Sequence, residues 1–147
     1  MISNLHLTGE LLVQLTNNVG NIVQEQHIKN LVVTSGKELV ANRLKENTKP
    51  AIGWIAVGTD GTAASAGQTT LVAEVSRVAV SSATVTSNSV AYVATLPAGT
   101  GTGTGTLLEA GLFNAASLGT MFSRTASINV VKGATDTLTI TWTVTVN

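Results

Sequence analysis

The residues able to support acid–base or metal chemistry are few and widely spaced. The chain has no cysteine and two histidines, His6 and His27. His27 has only Glu25 as a neighbour on the same face of a strand, whereas a zinc site needs three or four ligands. We therefore expect both histidines to face solvent or an interface. The sequence predicts no metal site.

Carboxylates and guanidinium groups give a second set of candidates. Glu74 and Glu109 could serve as a catalytic pair, but such a pair needs a defined separation and nothing in the sequence brings them together. Glu109 lies in the apolar stretch from Leu107 to Phe113, where an unpaired carboxylate would be costly to bury. Arg124 and Arg77 are its candidate partners. We predict structural ion pairs drawn from Glu109, Arg124, Arg77 and Glu74, or a backbone-capping role for Glu109.

Nucleophilic catalysis and phosphate binding receive little support. Serines are plentiful, but none has a recognisable base and orienting acid. The run Gly99–Thr106 alternates Gly and Thr strictly, so it lacks the spacing of a dinucleotide-binding loop, and no lysine follows as in a phosphate-binding loop. A mobile surface excursion is the better interpretation. The sequence predicts no catalytic residue, no cofactor and no enzyme activity.

The two tryptophans could form a platform for stacking a sugar ring. Trp142 shares one face of a strand with Ile140 and Val144, which favours a place in the core. Trp54 follows Gly53 and precedes Ile55, so the pattern leaves its side undecided. Trp54 is therefore kept as an alternative ligand contact.

The elements that must position these residues are mostly strands. The clearest runs from Thr137 to Val146, where threonines alternate with apolar residues and two-residue periodicity separates the two faces. The apolar face is the predicted core, and it consists of Leu138, Ile140, Trp142 and Val144.

The first third of the chain predicts a β-hairpin and one helix. Leu11–Leu15 and Ile22–Ile28 flank turn residues at Asn17–Gly20, and Leu31–Val33 could extend the pairing. Residues 1–33 are interpreted as a hairpin or an arm able to contact a neighbouring subunit. A helix is predicted from Ser35 to Glu46, with capping-box spacing between Ser35 and Glu38 and an end before Pro50.

Beyond Pro50 the sequence is typical of short strands separated by Gly, Ser and Thr. The candidates are Ile52–Val57, an antiparallel pair of Val78–Val85 with Val90–Leu96, and the weaker Leu107–Phe113 and Thr120–Ile128. Residues 1–147 are expected to form one mainly β domain, an antiparallel β-sandwich or jelly-roll-like barrel with one short α-helix and an N-terminal β-hairpin.

Composition narrows the classes of function. The 147 residues have a net charge of zero and only 11% charged residues, against about 25% in ordinary soluble proteins. High hydrophobicity without net charge argues against disorder, and neutrality argues against nucleic-acid binding. No apolar run is long enough for a membrane span. Soluble monomers usually keep their net charge away from zero, so this chain is expected to associate.

Six segments carry a resemblance to known proteins: Lys29–Lys37, Ile52–Thr59, Leu71–Arg77, Glu109–Asn114, Gly119–Arg124 and Leu138–Val144. Together they resemble a family of small structural proteins of tailed bacteriophages. The resemblance implies a capsid decoration (cement) protein that stabilises subunit junctions on the head exterior, or alternatively a tail-fibre or tail-associated module that binds host carbohydrate. The implied partners are the major capsid protein and copies of the chain itself, as a dimer or trimer. The implied location is the virion surface after synthesis in the host cytoplasm.

Overall fold

A computed structural model describes residues 4–147 and shows a fold made almost entirely of antiparallel strands. Within these residues there are twelve strands and one helix. The elements are β1 (Leu7–Thr16), β2 (Ile22–Lys29), β3 (Leu31–Val32), α1 (Thr34–Leu44), β4 (Trp54–Gly58), β5 (Glu74–Ala79), β6 (Ser82–Thr86), β7 (Ser89–Leu96), β8 (Gly105–Leu107), β9 (Glu109–Phe113), β10 (Met121–Thr125), β11 (Val130–Lys132) and β12 (Thr137–Val146).

The strands form two five-stranded sheets and one small ladder. The first sheet has the order β2-β1-β12-β7-β6, and the second has the order β3-β10-β9-β4-β5. Strands β11 and β8 form the ladder. The prediction of a mainly β, antiparallel sandwich with one helix and an N-terminal hairpin is confirmed.

The main core lies between the two sheets. β12 alternates as its sequence predicts, since Leu138, Ile140 and Trp142 are fully buried and Val144 is nearly so. These side chains share one apolar cluster with Ile55, Leu112 and other residues of the second sheet. Burial of each large apolar side chain stabilises the fold by roughly 1.5–3 kcal/mol. The Trp142 indole N–H donates to Asn30 Oδ1 at 3.3 Å.

The N-terminal hairpin belongs to the first sheet of its own chain. β1 pairs with β12 over ten residues, from Leu7 opposite Val146 to Thr16 opposite Thr137. On its other side β1 pairs with β2. The segment interpreted as an arm therefore supplies an interior strand of the sandwich.

The helix differs from its predicted start. It begins at Thr34 with Val33 at the N-cap, and no side chain caps it. The predicted capping box is therefore wrong. The Ser35 hydroxyl instead donates to the Met121 carbonyl oxygen at 2.7 Å, because the first turn of the helix lies against β10.

The predicted strand Val78–Val85 is also wrong as a single element. β5 ends at Ala79 and pairs with β4 in the second sheet, whereas β6 begins at Ser82 and pairs with β7 in the first. The chain crosses between sheets at Val80–Ser81. Only the second half of the predicted pair with Val90–Leu96 therefore forms.

The Gly-Thr run is partly built into the fold. Its end, Gly105–Thr106, belongs to β8. Gly103 is buried with φ of 78°, and a Cβ there would collide with the Leu96 side chain. Positive φ and close packing both favour glycine at this position. The prediction of a simple surface excursion therefore fails for the second half of the run.

Candidate functional site

The four charged residues singled out in the sequence all lie on one face of the second sheet. Cross-strand register places Glu109 opposite Gly58 and Gly58 opposite Glu74. Arg77 and Arg124 lie on the same face, in the row of Ala56 and Gly111. This face points away from the first sheet, and we call it the roofed face because loops 59–73 and 114–119 cover it.

Glu109 and Arg124 form a fully buried ion pair. Arg124 Nε donates to Glu109 Oε2 at 3.0 Å, and Nη2 of the same arginine lies 2.8 Å from that oxygen. The Nη2 contact is a charge contact without hydrogen-bond geometry. Both side chains have no exposed surface. Of the two candidate partners of Glu109, the structure places Arg124 beside it.

This ion pair fastens loop 59–73 to the sheet. Glu109 also accepts hydrogen bonds from the backbone N–H groups of Val72, at 3.0 Å, and Ala73, at 2.7 Å. Arg124 Nη1 donates to the Thr62 carbonyl oxygen at 2.7 Å and to Gln68 Oε1 at 3.2 Å. Both ends of the loop are thus bonded to a single buried pair of charges.

The base of loop 59–73 has its own small polar contact. Asp60 accepts a hydrogen bond from the Thr62 backbone N–H at 2.7 Å. Hydrogen bonding by the Thr62 hydroxyl and backbone amide lowers the pKa of the exposed Asp60 carboxyl. Asp60 therefore helps to shape the turn that presents the Thr62 carbonyl to Arg124.

Glu74 and Arg77 form the second ion pair, nearer the rim. Arg77 Nη2 donates to Glu74 Oε2 at 2.7 Å and Nε donates to Oε1 at 2.9 Å. Arg77 Nη1 donates to the carbonyl oxygens of Ala115 and Leu118, each at 3.0 Å. The guanidinium also stacks on Phe113, 3.7 Å from the ring centre. This pair holds loop 114–119 over the roofed face.

The geometry of these charges favours a structural role. Glu109 has no surface through which a substrate could reach it, and both of its oxygens already accept hydrogen bonds. Glu74 is held by a bidentate contact to Arg77. Such bidentate pairs fix orientation strongly. The two carboxylates therefore each serve a loop.

Trp54 lies on the same roofed face, at the start of β4. It is half-buried and packs against a second apolar cluster that includes Phe113 and Met121. Phe113 is its direct cross-strand neighbour. The indole therefore presents only part of its surface to solvent.

The histidines lie on or beside the first sheet, apart from these ion pairs. His27 Nε2 is 3.5 Å from Glu25 Oε1, with both side chains exposed. His6 makes a local contact, with Nδ1 3.1 Å from the Asn4 carbonyl oxygen. Among residues 4–147 no group of three or more His, Asp or Glu side chains could hold a metal ion.

A hollow of about 440 Å³ lies beside the hairpin, lined in part by His6, Lys29, Asn30 and Lys37. The amide Nδ2 of Asn30 has no hydrogen-bond partner, but it has almost no accessible surface. A ligand in the hollow would therefore meet the exposed side chains of Lys29 and Lys37 and could not reach the buried Asn30 amide.

The outward face of the first sheet has an uncharged region three strands wide. It is formed by β12, β7 and β6, none of which contains a charged residue. Thr139, Thr141 and Thr143 lie on β12, the strand of this region next to β1, and their neighbours on the central strand β7 are Thr95, Val93 and Ala91. We call this region the threonine face. The charged residues on this side of the sheet are Glu10 on β1 and Glu25 and Lys29 on β2, where His27 lies between the last two.

The four sheet edges differ in how they are protected against pairing. β2 contains Glu25, His27 and Lys29, β3 has only two residues, and β5 contains an ion pair and a register shift against β4. Charge, short length and bulges are the usual protective features of edge strands. β6 has the sequence SATVT, has no register shift, and is exposed at every residue. It is the unprotected edge of the described sandwich.

Sequence reasoning missed one buried cation. Lys132 is almost fully buried beneath the Gly-Thr run. Its Nζ donates to the Thr102 hydroxyl at 3.3 Å, and that hydroxyl lies 2.8 Å from the Pro97 carbonyl oxygen and 2.7 Å from that of Gly99. Burial lowers the pKa of the Lys132 ammonium, while Asp136 partly offsets this effect. The alternation Val130-Val131-Lys132, with Lys132 in phase with the apolar Val130, was the available signal.

Comparisons with family models, with curated proteins and with solved structures gave no match to this chain. No helix among residues 4–147 has the length and apolar character needed to cross a membrane.

Proposed function

We propose that this chain is a non-enzymatic structural protein of a phage virion, most specifically a capsid decoration (cement) protein. It would bind the exterior of the head and stabilise the junctions between capsid subunits. Its partners would be the major capsid protein and copies of itself. The family resemblance of the sequence motivates the virion context.

The observation that carries the proposal is the threonine face. When a charged surface binds another protein, its ions lose their hydration. The ion pairs formed across the interface often do no more than offset that cost. Threonine hydroxyls can pair with backbone and side-chain groups of a neighbour at lower cost, and their methyl groups add apolar area. A broad hydroxyl-rich face without charge is therefore suited to being covered by another protein.

The roofed face supports the same role in a different way. Two ion pairs fasten loops across the second sheet, and one of them is fully buried. A cement protein must transmit load without local unfolding, and segments with buried polar contacts open less readily than free loops. The proposal therefore assigns binding to the first sheet and rigidity to the second.

The test is binding of the purified chain to phage heads that lack it, combined with its copy number in intact particles. We expect occupancy at repeated positions on the head and a higher temperature of head disruption when the chain is bound. Thr141→Lys, which places a charge on the threonine face in the middle of β12, should weaken binding at least about ten-fold because the ammonium must be desolvated.

Thr70→Lys provides the matched control. Thr70 is an exposed residue of loop 59–73, on the opposite side of the sandwich, so the same change should leave head binding intact. Absence of the chain from purified heads would contradict the proposal, as would equal binding by Thr141→Lys.

A tail-fibre or tail-associated module is the alternative to be distinguished. In that case the chain would be found on the tail, and binding to host glycans would be lost in Trp54→Ala. Trp54 is half-buried against Phe113 and Met121, so the glycan measurement needs a check that the variant remains folded.

A further inference from the structure

We propose that β6 is a homodimerisation strand, which pairs antiparallel with β6 of a second copy to join the two first sheets into one ten-stranded sheet. This dimer rests on the self-association in the proposed function. It specifies the pairing strand, the register and the symmetry of the contact. It can fail or succeed independently of binding to a capsid.

The outer edge of β6 is exposed and unpaired in the described sheet. All five residues of β6 are exposed, including Val85, at 72% of its full accessible area. In the described part of the chain nothing pairs with the outer side of this strand. The other edges are charged, bulged or only two residues long. An edge left open while its counterparts are protected is a candidate for strand addition.

The alternation of hydrogen bonds between β6 and β7 determines which backbone groups of β6 point outward. β6 and β7 are joined by the two-residue turn Ser87–Asn88, which makes Thr86 and Ser89 the closing hydrogen-bonded pair. Hydrogen-bonded and non-hydrogen-bonded pairs alternate along antiparallel strands. Thr84 therefore directs its N–H and C=O groups towards β7, and Ala83 and Val85 direct theirs outward.

A two-fold axis between two copies of β6 would fix the register of their pairing. A symmetric contact must be self-complementary, because the same surface of each copy takes part. An axis beside Thr84 places Thr84 opposite Thr84 of the second copy and Ala83 opposite Val85. The outward groups of Ala83 and Val85 then form hydrogen-bonded pairs, and the two threonines form the closer non-hydrogen-bonded pair. No charge opposes a like charge anywhere along the strand.

This register would also extend a row of apolar side chains across the inward face of the joined sheet. Val85 is opposite Val90 on β7, and Val90 is opposite Val144 on β12. These three valines share the inward face, yet Val85 is left uncovered at the sheet's edge. In the proposed dimer Ala83 of the second copy lies beside Val85, with Tyr92 and Trp142 of that copy continuing the row. The occupant that fits this edge is therefore a second copy of the chain.

The experiment uses a charge exchange at the axis. Sedimentation equilibrium of the full chain at low salt should show a reversible dimer, and Thr84→Lys should raise its dissociation constant at least about ten-fold, because two ammonium groups then face one another. Thr84→Glu should do the same. An equimolar mixture of the two variants should recover dimer, since opposite charges now meet.

Controls separate the edge from the face. Thr141→Lys changes a residue of the same sheet two strands from the edge, and it should leave the dimer intact while weakening head binding. Circular dichroism and thermal melting establish that each variant is folded. A monomeric wild-type chain at all concentrations would overturn the proposal, as would an unaffected dimer in Thr84→Lys. Failure of the mixture to recover dimer would also overturn it.

Discussion

Arg124 and Glu109 meet on adjacent strands with no exposed surface on either side chain, and Nε lies 3.0 Å from Oε2. The contact joins β10 to β9 and, through further hydrogen bonds, both strands to loop 59–73. Removal of this ion pair should therefore destabilise loop 59–73 as well as β9 and β10.

Arg124→Met should destabilise the protein by about 3–5 kcal/mol, because it leaves the buried Glu109 carboxylate without its cation. Urea unfolding provides the measurement. Hydrogen exchange should show the largest loss of protection in loop 59–73. Arg77→Met is the matched comparison, since its partner Glu74 is partly exposed, and its loss of protection should centre on loop 114–119. Equal effects of both variants on both loops would contradict the assignment.

Gly36→Ala should destabilise the protein by roughly 1–3 kcal/mol, although alanine is the better helix former. A Cβ at Gly36 would collide with the backbone carbonyl of Phe122, which cannot rotate away. Gly53→Ala is the control, because a Cβ there meets nothing within 4 Å. Thermal melting should separate the two variants, and a stabilised Gly36→Ala would show that helix and β10 are less closely packed.

Leu118→Asn should stabilise the protein by about 0.5–1 kcal/mol, through relief of backbone strain. Leu118 has φ of 53°, and its side chain is 87% exposed. Asparagine tolerates this region of φ better than leucine. The backbone carbonyl that Arg77 uses is retained. Leu5→Asn removes a similarly exposed leucine, at 77%, from a position without positive φ, and it should leave the melting temperature nearly unchanged. Equal melting shifts in both variants would exclude relief of strain.

Lys132 should produce a rise in stability with alkaline pH. Its pKa is lowered in the folded state by burial. Between that lowered pKa and the ordinary value of 10.5, the unfolded chain therefore binds more protons than the folded chain. Unfolding free energy increases with pH wherever this holds. Lys132→Met should remove the rise, measured by urea unfolding across this range.

A second titration has to be removed to see this effect clearly. Burial raises the pKa of Tyr92 above its ordinary 10.0, so the folded chain retains that proton longer and stability falls as pH increases past 10.0. The effect of Lys132→Met is therefore best measured in a Tyr92→Phe background. Parallel pH profiles with and without Lys132 in that background would disprove its contribution.

The C-terminal strand shows what the sequence could predict. Thr137–Val146 alternates strictly, and two-residue periodicity alone assigns Leu138, Ile140, Trp142 and Val144 to one face. The same reasoning predicts a hairpin on either side of Asn17–Gly20. Patterns that depend only on neighbours along the chain were sufficient for these elements.

Two other features depend on packing that a single sequence does not display. Val78–Val85 has a continuous strand-like composition, but the chain changes sheets at Val80–Ser81. The sequence left open whether Arg77 or Arg124 pairs with Glu109, and the strand register decides it. Gly58, which lies opposite Glu109 on β4, provides no side chain, whereas Arg124 lies on β10, the strand on the other side of β9. Sheet order determines both outcomes.

The unequal edges of the first sheet would determine where an assembly paired through β6 ends. In the proposed dimer the uncharged β6 edges of both copies would be paired, so each end of the joined sheet would be a β2 strand with Glu25, His27 and Lys29. Edge charges of this kind oppose further strand addition. In that dimer the unequal edges would favour a closed pair over an open-ended fibre.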